Sequence, residues 1–358
     1  MKSELFFLPV KHGEDPSSIA KGLKKLFEES GAGGHFAKGD HVGVKTHFGE
    51  HGNTTFLHPV LVKSVVDRLL QAGVRPFLTE TSTLYRGRRT NAHDHICLAQ
   101  EHGFGFERMK VPIIMADGLY GDAEVAVNIN GKHFKQVNIA SEIAKMQGLV
   151  ILSHLTGHML SGFGCAIKSI GMGLASRKGK LKQHSIMSPE IITRKCTACG
   201  MCIQWCPKDT IALVSGKAFI HKENCIGCGE CLAVCRYDAV RYDWNMESNT
   251  MQEMMAEHAA GVIKAVKGKI FFFNFLINIT RDCDCGNGGE SVSKDVGILA
   301  GGDIVAMEKA TSDLFARANE RSLRECTYPN VDPMIQVRHA EHLGLGSADY
   351  RLVELSRS

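Results

Sequence analysis

The sequence lacks any apolar run long enough to cross a bilayer: its longest, residues 269–279 and 148–152, fall well short of the roughly 20 residues a membrane helix needs. No membrane span is expected. The N-terminus, Met1 to Val10, has no basic region followed by a long apolar core and a small-residue cleavage site, so it reads as a first strand rather than a leader. Long basic runs are missing too. Lys and Arg total 42 against 38 Asp and Glu, a formal net charge of +4, and without a basic stripe beside aromatics nucleic acid is not an expected partner. Neither G-x-S-x-G nor H-E-x-x-H occurs, which leaves hydrolase and zinc-protease readings unsupported.

What is present is an ordinary globular composition, 44% hydrophobic and 22% charged, over 358 residues, enough for one large domain and one small one. Thirteen cysteines would suggest disulfides in a small secreted protein. In a long chain with CxxC repeats they point instead to thiolate metal ligands in a reducing compartment, and the cytoplasm is the expected location.

Eight of those cysteines carry the strongest signal. The first run is Cys196-Thr-Ala-Cys199-Gly-Met-Cys202-Ile-Gln-Trp-Cys206-Pro207, and the pattern recurs 29 residues on as Cys225-Ile-Gly-Cys228-Gly-Glu-Cys231-Leu-Ala-Val-Cys235. Three cysteines at every third position wrap one corner of a four-iron, four-sulfur cubane, and the fourth ligates the other cluster in two-cluster ferredoxins. Cys196, Cys199, Cys202 and Cys235 are therefore expected to hold one cluster and Cys225, Cys228, Cys231 and Cys206 the other. A pair of zinc ribbons is the competing reading of CxxC pairs, but four cysteines per run, twice, with Pro207 after the first, favour iron–sulfur. Arg236 stands where a proline usually follows the second run, which affects chain direction rather than ligation. Two adjacent clusters are expected to move electrons rather than staple the fold.

The flanks alternate strand and helix patterns. Strands are expected at Phe6–Val10, His41–Lys45, Val74–Thr79, Gly148–Ser153 and Ile270–Ile279, and Leu299–Asp303 sits just before a helix. Helices are expected over Ser17–Phe27, from about Pro59 to Gln71 with Gly73 just past its end, and from Ile304 to about Arg321. This predicts a larger α/β sheet domain covered by helices, in two parts (1–187 and 247–358), with an α+β ferredoxin-like two-cluster module at 188–246 inserted into it. Residues 176–189 and 245–250 read as linkers.

Outside the module, several blocks carry a family resemblance: Val44-Lys45-Thr46-His47, Leu78 to Ser82, Ser161 to Lys168, Asn278 to Cys285 and Asp295 to Glu308. They resemble the family known as domain of unknown function 362, often fused to ferredoxin modules, and the resemblance implies a fold class without an assigned reaction. Glu308 stands where that family often has Asp.

Ligands of open α/β sheets bind beyond the carboxyl ends of strands. Lys45 and His47 follow one expected strand, Glu80 another, His154, His158, Cys165 and Lys168 a third, and Cys283 and Cys285 a fourth. If these ends converge, imidazoles, thiols, a carboxylate and lysines form a soft-to-borderline set, and His154, His158, Cys165, Cys283 and Cys285 are candidate ligands of an additional metal ion. Lys45 and Lys168 would position an anionic substrate, Glu80 and His47 would move protons, and Cys283 and Cys285 would bind metal or exchange electrons. A direct Cys283–Cys285 disulfide would be strained. The glycines of Ser161–Gly173 match neither GxGxxG nor GxxxxGK[ST] and read as a tight turn. The leading expectation is a redox protein, a candidate metal-assisted oxidoreductase, whose clusters serve a site in the α/β domain for a small-molecule substrate. The alternatives are a non-enzymatic electron carrier docking a redox partner protein, and a structural or sensory cluster protein.

Overall fold

In the computed structural model, residues 2–85, 87–184, 189–225, 230–237, 239–241, 247–286 and 289–356 are described. Cys228, an expected cluster ligand, lies outside them. The chain begins with β1 (Ser3–Pro9) and α1 (Pro16–Glu29), which starts where the Asp15 carboxylate accepts from the Ser17 and Ser18 amides and Pro16 presets the first turn. Next come β2 (His41–Lys45), α2 (Pro59–Gln71) and β3 (Arg75–Glu80). Gly73, at φ +79°, ends α2, its amide and that of Val74 closing on Leu70 and Leu69 carbonyls.

After β4 (Ile113–Met115), a hairpin pairs Glu124–Asn128 with Gln136–Ala140. β5 (Gly148–His154), α3 (Ala166–Gly171) and α4 (Arg177–His184) precede the cysteine segment. After it run α5 (Ser248–Ala265), β6 (Ile270–Leu276), β7 (Gly297–Gly301), α6 (Ile304–Asn319), α7 (Ile335–His342) and β8 (Tyr350–Glu354).

Eight strands form one sheet in the order β8-β1-β7-β6-β5-β2-β3-β4. β7 alone runs antiparallel to its neighbours; the other pairings are parallel. Alternation along each central strand splits the core in two. Leu149, Ile151 and Phe272 pack with α3, α5 and α6 on one face; Val150, Leu152, Phe271 and Phe273 pack with α1 and α2 on the other. The expected helix-covered α/β sheet is what forms.

Parts of both expected linkers are helical among the described residues, while residues 185–188 and 245–246 lie outside those described. Residues 177–184 form α4, because Arg177, Lys180, Leu181 and Gln183 are buried, with the Lys180 ammonium donating to the Ser82 and Ala175 carbonyls at 2.7 and 3.1 Å. Ser248 to Thr250 open α5, the long helix that packs on α3 and α7. The strand expected over Ile270–Ile279 ends at Leu276, where the chain turns through Asn278 at φ +47°.

The described residues between 189 and 241 include a separate small core of Cys196, Ile211, Ala218, Ile220, Cys231, Ala239 and Val240. Two short antiparallel pairs frame it: Glu190–Ile191 with Val240–Arg241, and Ile211–Val214 with Lys217–Ile220.

Candidate functional site

β3, β2, β5 and β6 are consecutive in the sheet and parallel, so their carboxyl ends open onto one place. There a cavity of about 280 Å³ is lined by Lys45, His47, Glu80, His154, His158, Cys165, Lys168, Cys283 and Cys285, every strand-end residue singled out from the sequence. Tyr85, Arg89, Asp284, Lys180 and His184 line it as well. Sequence reasoning missed these. Arg89 and Lys180 belong to no motif, and only the run of hydroxyl and basic residues around them offered any signal.

Four cations face two carboxylates across this lining. Lys45 and Glu80, both buried, pair at 2.5 Å. Burial alone would raise the Glu80 carboxyl, but Lys45, His47, His95 and Arg89 hold it down at about 2. Arg89 is 1% exposed and held between Glu50 Oε2 at 3.2 Å, the Tyr85 hydroxyl and His47 Nε2 at 2.8 Å. Burial pulls Lys180 down to about 8 despite the attraction of Asp117 and Glu80. Lys168 faces two sulfurs and, more weakly, the Asp284 carboxylate. Burial would lower it, yet Cys283 and Cys285 raise it, and Cys283 bonds it directly.

Glycines make room for these lysines. A Cβ on Gly164 would come within 2.5 Å of Lys168 Cδ, and one on Gly173 within 2.9 Å of Lys45 Cε. The 161–173 stretch is thus more than a turn: Gly162–Gly164 pairs with Thr156–His158, and α3 then presents Lys168 to the cavity.

The five residues expected to hold an additional metal ion share the cavity without forming a metal cage. Among the described residues no group of three or more His, Cys, Asp or Glu side chains is placed to hold an ion. Both nitrogens of His154 are engaged, Nδ1 by Asp284 Oδ2 at 2.8 Å and Nε2 by the Ile277 carbonyl at 2.9 Å. Burial would lower this imidazole, but Asp284 outweighs it and the ring is raised toward its protonated form, which has no lone pair for a metal. His158 Nδ1 accepts from the Leu160 and Ser161 amides, so the ring proton sits on Nε2. Burial, with Glu308, pushes the Cys165 thiol well up and leaves it neutral.

Cys283 and Cys285 remain. Asp284 between them is held at both oxygens, accepting from Thr55 Oγ1 at 2.8 Å and His154 Nδ1, while Asn53 Nδ2 holds the Gly286 carbonyl at 2.9 Å. This pinning leaves both flanking sulfurs lining the cavity.

In the cysteine segment, Cys196, Cys199, Cys202 and Cys235 line one small cavity with Ile191, Tyr237, Ala239 and Val240. Burial raises the Cys202 thiol, and so does the nearness of Cys235, Cys196 and Cys199. Backbone amides point at sulfur: Ala218 to Cys196 at 3.4 Å, Ala239 to Cys235 at 3.3 Å and Thr210 to Cys206 at 3.3 Å. Cys206, Cys225 and Cys231 join the same small core. Ligands of a cubane stand apart by the width of the cube, so they need not converge on a point as the ligands of a single ion do.

A protein-family model described as "Domain of unknown function (DUF362)" matches residues 42–313. Among solved structures the chain is similar to a structural-genomics protein from Thermotoga maritima, with TM-score 0.47 and 12% identity over 86% of this chain and 60% of that one. It is also similar to the lactate racemase apoprotein from Thermoanaerobacterium thermosaccharolyticum, with TM-score 0.42 and 11% identity over 86% and 56%. The chain thus spans less than two thirds of either structure. No curated protein matches.

Proposed function

The chain belongs to the DUF362 family, and from that premise we propose that it is an iron–sulfur redox protein acting on a small anionic substrate at the strand-end cavity. Two four-iron, four-sulfur clusters would sit in the module at 188–246, one on Cys196, Cys199, Cys202 and Cys235, the other on Cys225, Cys228, Cys231 and Cys206. When bound they supply one-electron transfer. The residues fit such groups: Cys196, Cys199, Cys202 and Cys235 line one small cavity, and backbone amides are directed at the sulfurs of Cys196, Cys206 and Cys235, as they would be at cluster thiolates.

One observation links module to cavity. Both strands of chain that connect the module to the sheet domain leave from the cavity's lining, at His184 on α4 and Met251 on α5. Six peptide steps separate His184 from Glu190, a reach of about 20 Å at most. A module at 188–246 would thus be tethered within about 20 Å of the lining of the cavity it would serve.

At the cavity, Lys168 draws and orients the anion, and the surplus of cations lowers the cost of burying its charge. His158 holds a proton at Nε2, and the Lys45–Glu80 pair fixes the floor. Leu152, Met172, Met251 and Met255 in the lining exclude water and strengthen each electrostatic contact. On the module, Trp205, Leu213, Val214, Phe219 and Tyr237 stay exposed, a surface suited to an external redox partner protein.

Anaerobically purified protein tests this reading. Iron and acid-labile sulfide in equal amounts, roughly eight of each per chain, and reversible spectroscopic reduction are expected. Zinc without sulfide would overturn it.

A further inference from the structure

The Cys283-Asp284-Cys285 loop is built more tightly than electron transfer through the module requires. Asp284 is locked to Thr55 and His154, and the backbone is tied on both sides, Glu50 N–H to the Asp284 carbonyl at 3.3 Å and Asn53 Nδ2 to that of Gly286. A loop held at its central residue presents the two flanking sulfurs with little freedom. Cys285 Sγ lies 3.5 Å from His47 Nε2, and Arg89 Nη1 reaches the same nitrogen at 2.8 Å. The Gly49 amide points at the other ring nitrogen, Nδ1, at 3.0 Å. Nε2 is thus the meeting point of cation, imidazole and sulfur. On the other side Lys168 bonds Cys283, and the Tyr85 hydroxyl neighbours Cys285. No carboxylate is in hydrogen-bond contact with either sulfur among the described residues: Glu80 is occupied by Lys45 and Asp284 by His154.

We propose that Cys283 and Cys285 form a paired-thiol site in which Cys285 is the nucleophile, and that it captures small carboxylates bearing an electrophilic carbon. The choice of an anion rests on the reading of the cavity given above. Capture is a displacement: the Cys285 sulfur pair forms the S–C bond, the leaving group departs with its own pair, and Cys283 keeps its proton. Cys283 lends a hydrogen bond that stabilises the thiolate before attack, and Lys168 and Arg89 hold the incoming carboxylate. The electrostatics agree. The bond from Cys283, then His47 and Lys168, draw Cys285 well below an ordinary thiol against the opposing effect of burial, while Cys283 moves up.

Alkylation of the anaerobic, full-length protein tests this without any assay of turnover. Iodoacetamide and iodoacetate are applied from pH 5 to pH 9 and modification at each cysteine is read by peptide mass spectrometry, with the urea-unfolded chain as reference. Cys285 is expected to react at pH 6 at least about tenfold faster than in the unfolded chain, to favour iodoacetate over iodoacetamide relative to that reference, and to outpace Cys283. Lys168→Met should remove the preference for iodoacetate, and Cys283→Ala should shift the pH profile upward. A profile with the midpoint near the ordinary thiol value of about 8.5, or no preference for the anionic reagent, would overturn the proposal. The wild-type profile decides even if a variant fails to fold. Fast Cys285 alkylation in a protein that holds no iron or sulfide would end the cluster reading and sustain this one; intact clusters beside an ordinary Cys285 would do the reverse.

Discussion

The imidazole of His154, at the end of β5, and the carboxylate of Asp284, in the loop after β6, lie 2.8 Å apart, both buried, across 130 residues of sequence. This one contact fixes how the Cys283–Cys285 loop sits on the sheet edge. Asp284 is held at about 2 and His154 is raised, each ionised form stabilised by the other.

Asp284→Asn should therefore lower the unfolding free energy by about 3–5 kcal/mol, because it leaves a buried imidazole without its counter-charge. The sign with pH follows from both shifts. The depressed carboxyl contributes stability above its unfolded value, lost as pH falls toward 2; the raised imidazole contributes below its unfolded value, lost as pH rises through its folded one. The gap between wild type and variant in urea titrations should be widest at about pH 4.5–6 and narrow at pH 9.

Glu308, fully buried on α6, accepts from the Ile167 amide at 2.6 Å, and its other oxygen has no partner among the described residues. Burial pushes its carboxyl up to about 8. The native state then binds more protons than the unfolded chain between its ordinary value and 8, so stability falls as pH rises through that window. Glu308→Gln should abolish the decline, with a stability gain over wild type of a few kcal/mol at pH 8.5 and almost none at pH 4, measured by denaturant titration.

Cys235→Ser should cost one cluster and spare the other. Iron and sulfide should fall to roughly half, with the remaining cluster still reducible by electron paramagnetic resonance. Loss of both clusters in a protein that still folds would argue against divided ligation.

Glu257 on α5 accepts from the His133 and Phe134 amides at 3.0 and 2.8 Å and from His339 Nε2 at 3.1 Å, clamping the tip of the 124–140 hairpin. Gly131 closes the clamp, since a Cβ there would lie 2.4 Å from the carboxylate. Gly131→Ala should destabilise by about 1–3 kcal/mol and speed hydrogen exchange at the His133 and Phe134 amides, leaving the Cys285 alkylation profile unchanged.

The sequence alone determined the central strands and the sulfur spacing. His41–Lys45 forms as expected to the residue, and residues 148–154 and 270–276 could only be buried strands once helices covered both faces, because each run is apolar on both sides of the pleat. It also placed Lys45, Glu80 and His154 at strand ends, a local property. Only the tertiary structure decided that those ends are adjacent, since strand order is set by packing between distant segments. It alone brought in Arg89, Tyr85 and Lys180, whose burial no local pattern announces, and turned the basic stretch at 177–184 from a linker into a helix, because lysine stems pack while their ammonium groups find buried carbonyl and hydroxyl oxygens. His154 shows the division most clearly: its position was legible in the strand, but whether it binds a metal or a carboxylate depended on Asp284, a partner that only folding brings within reach.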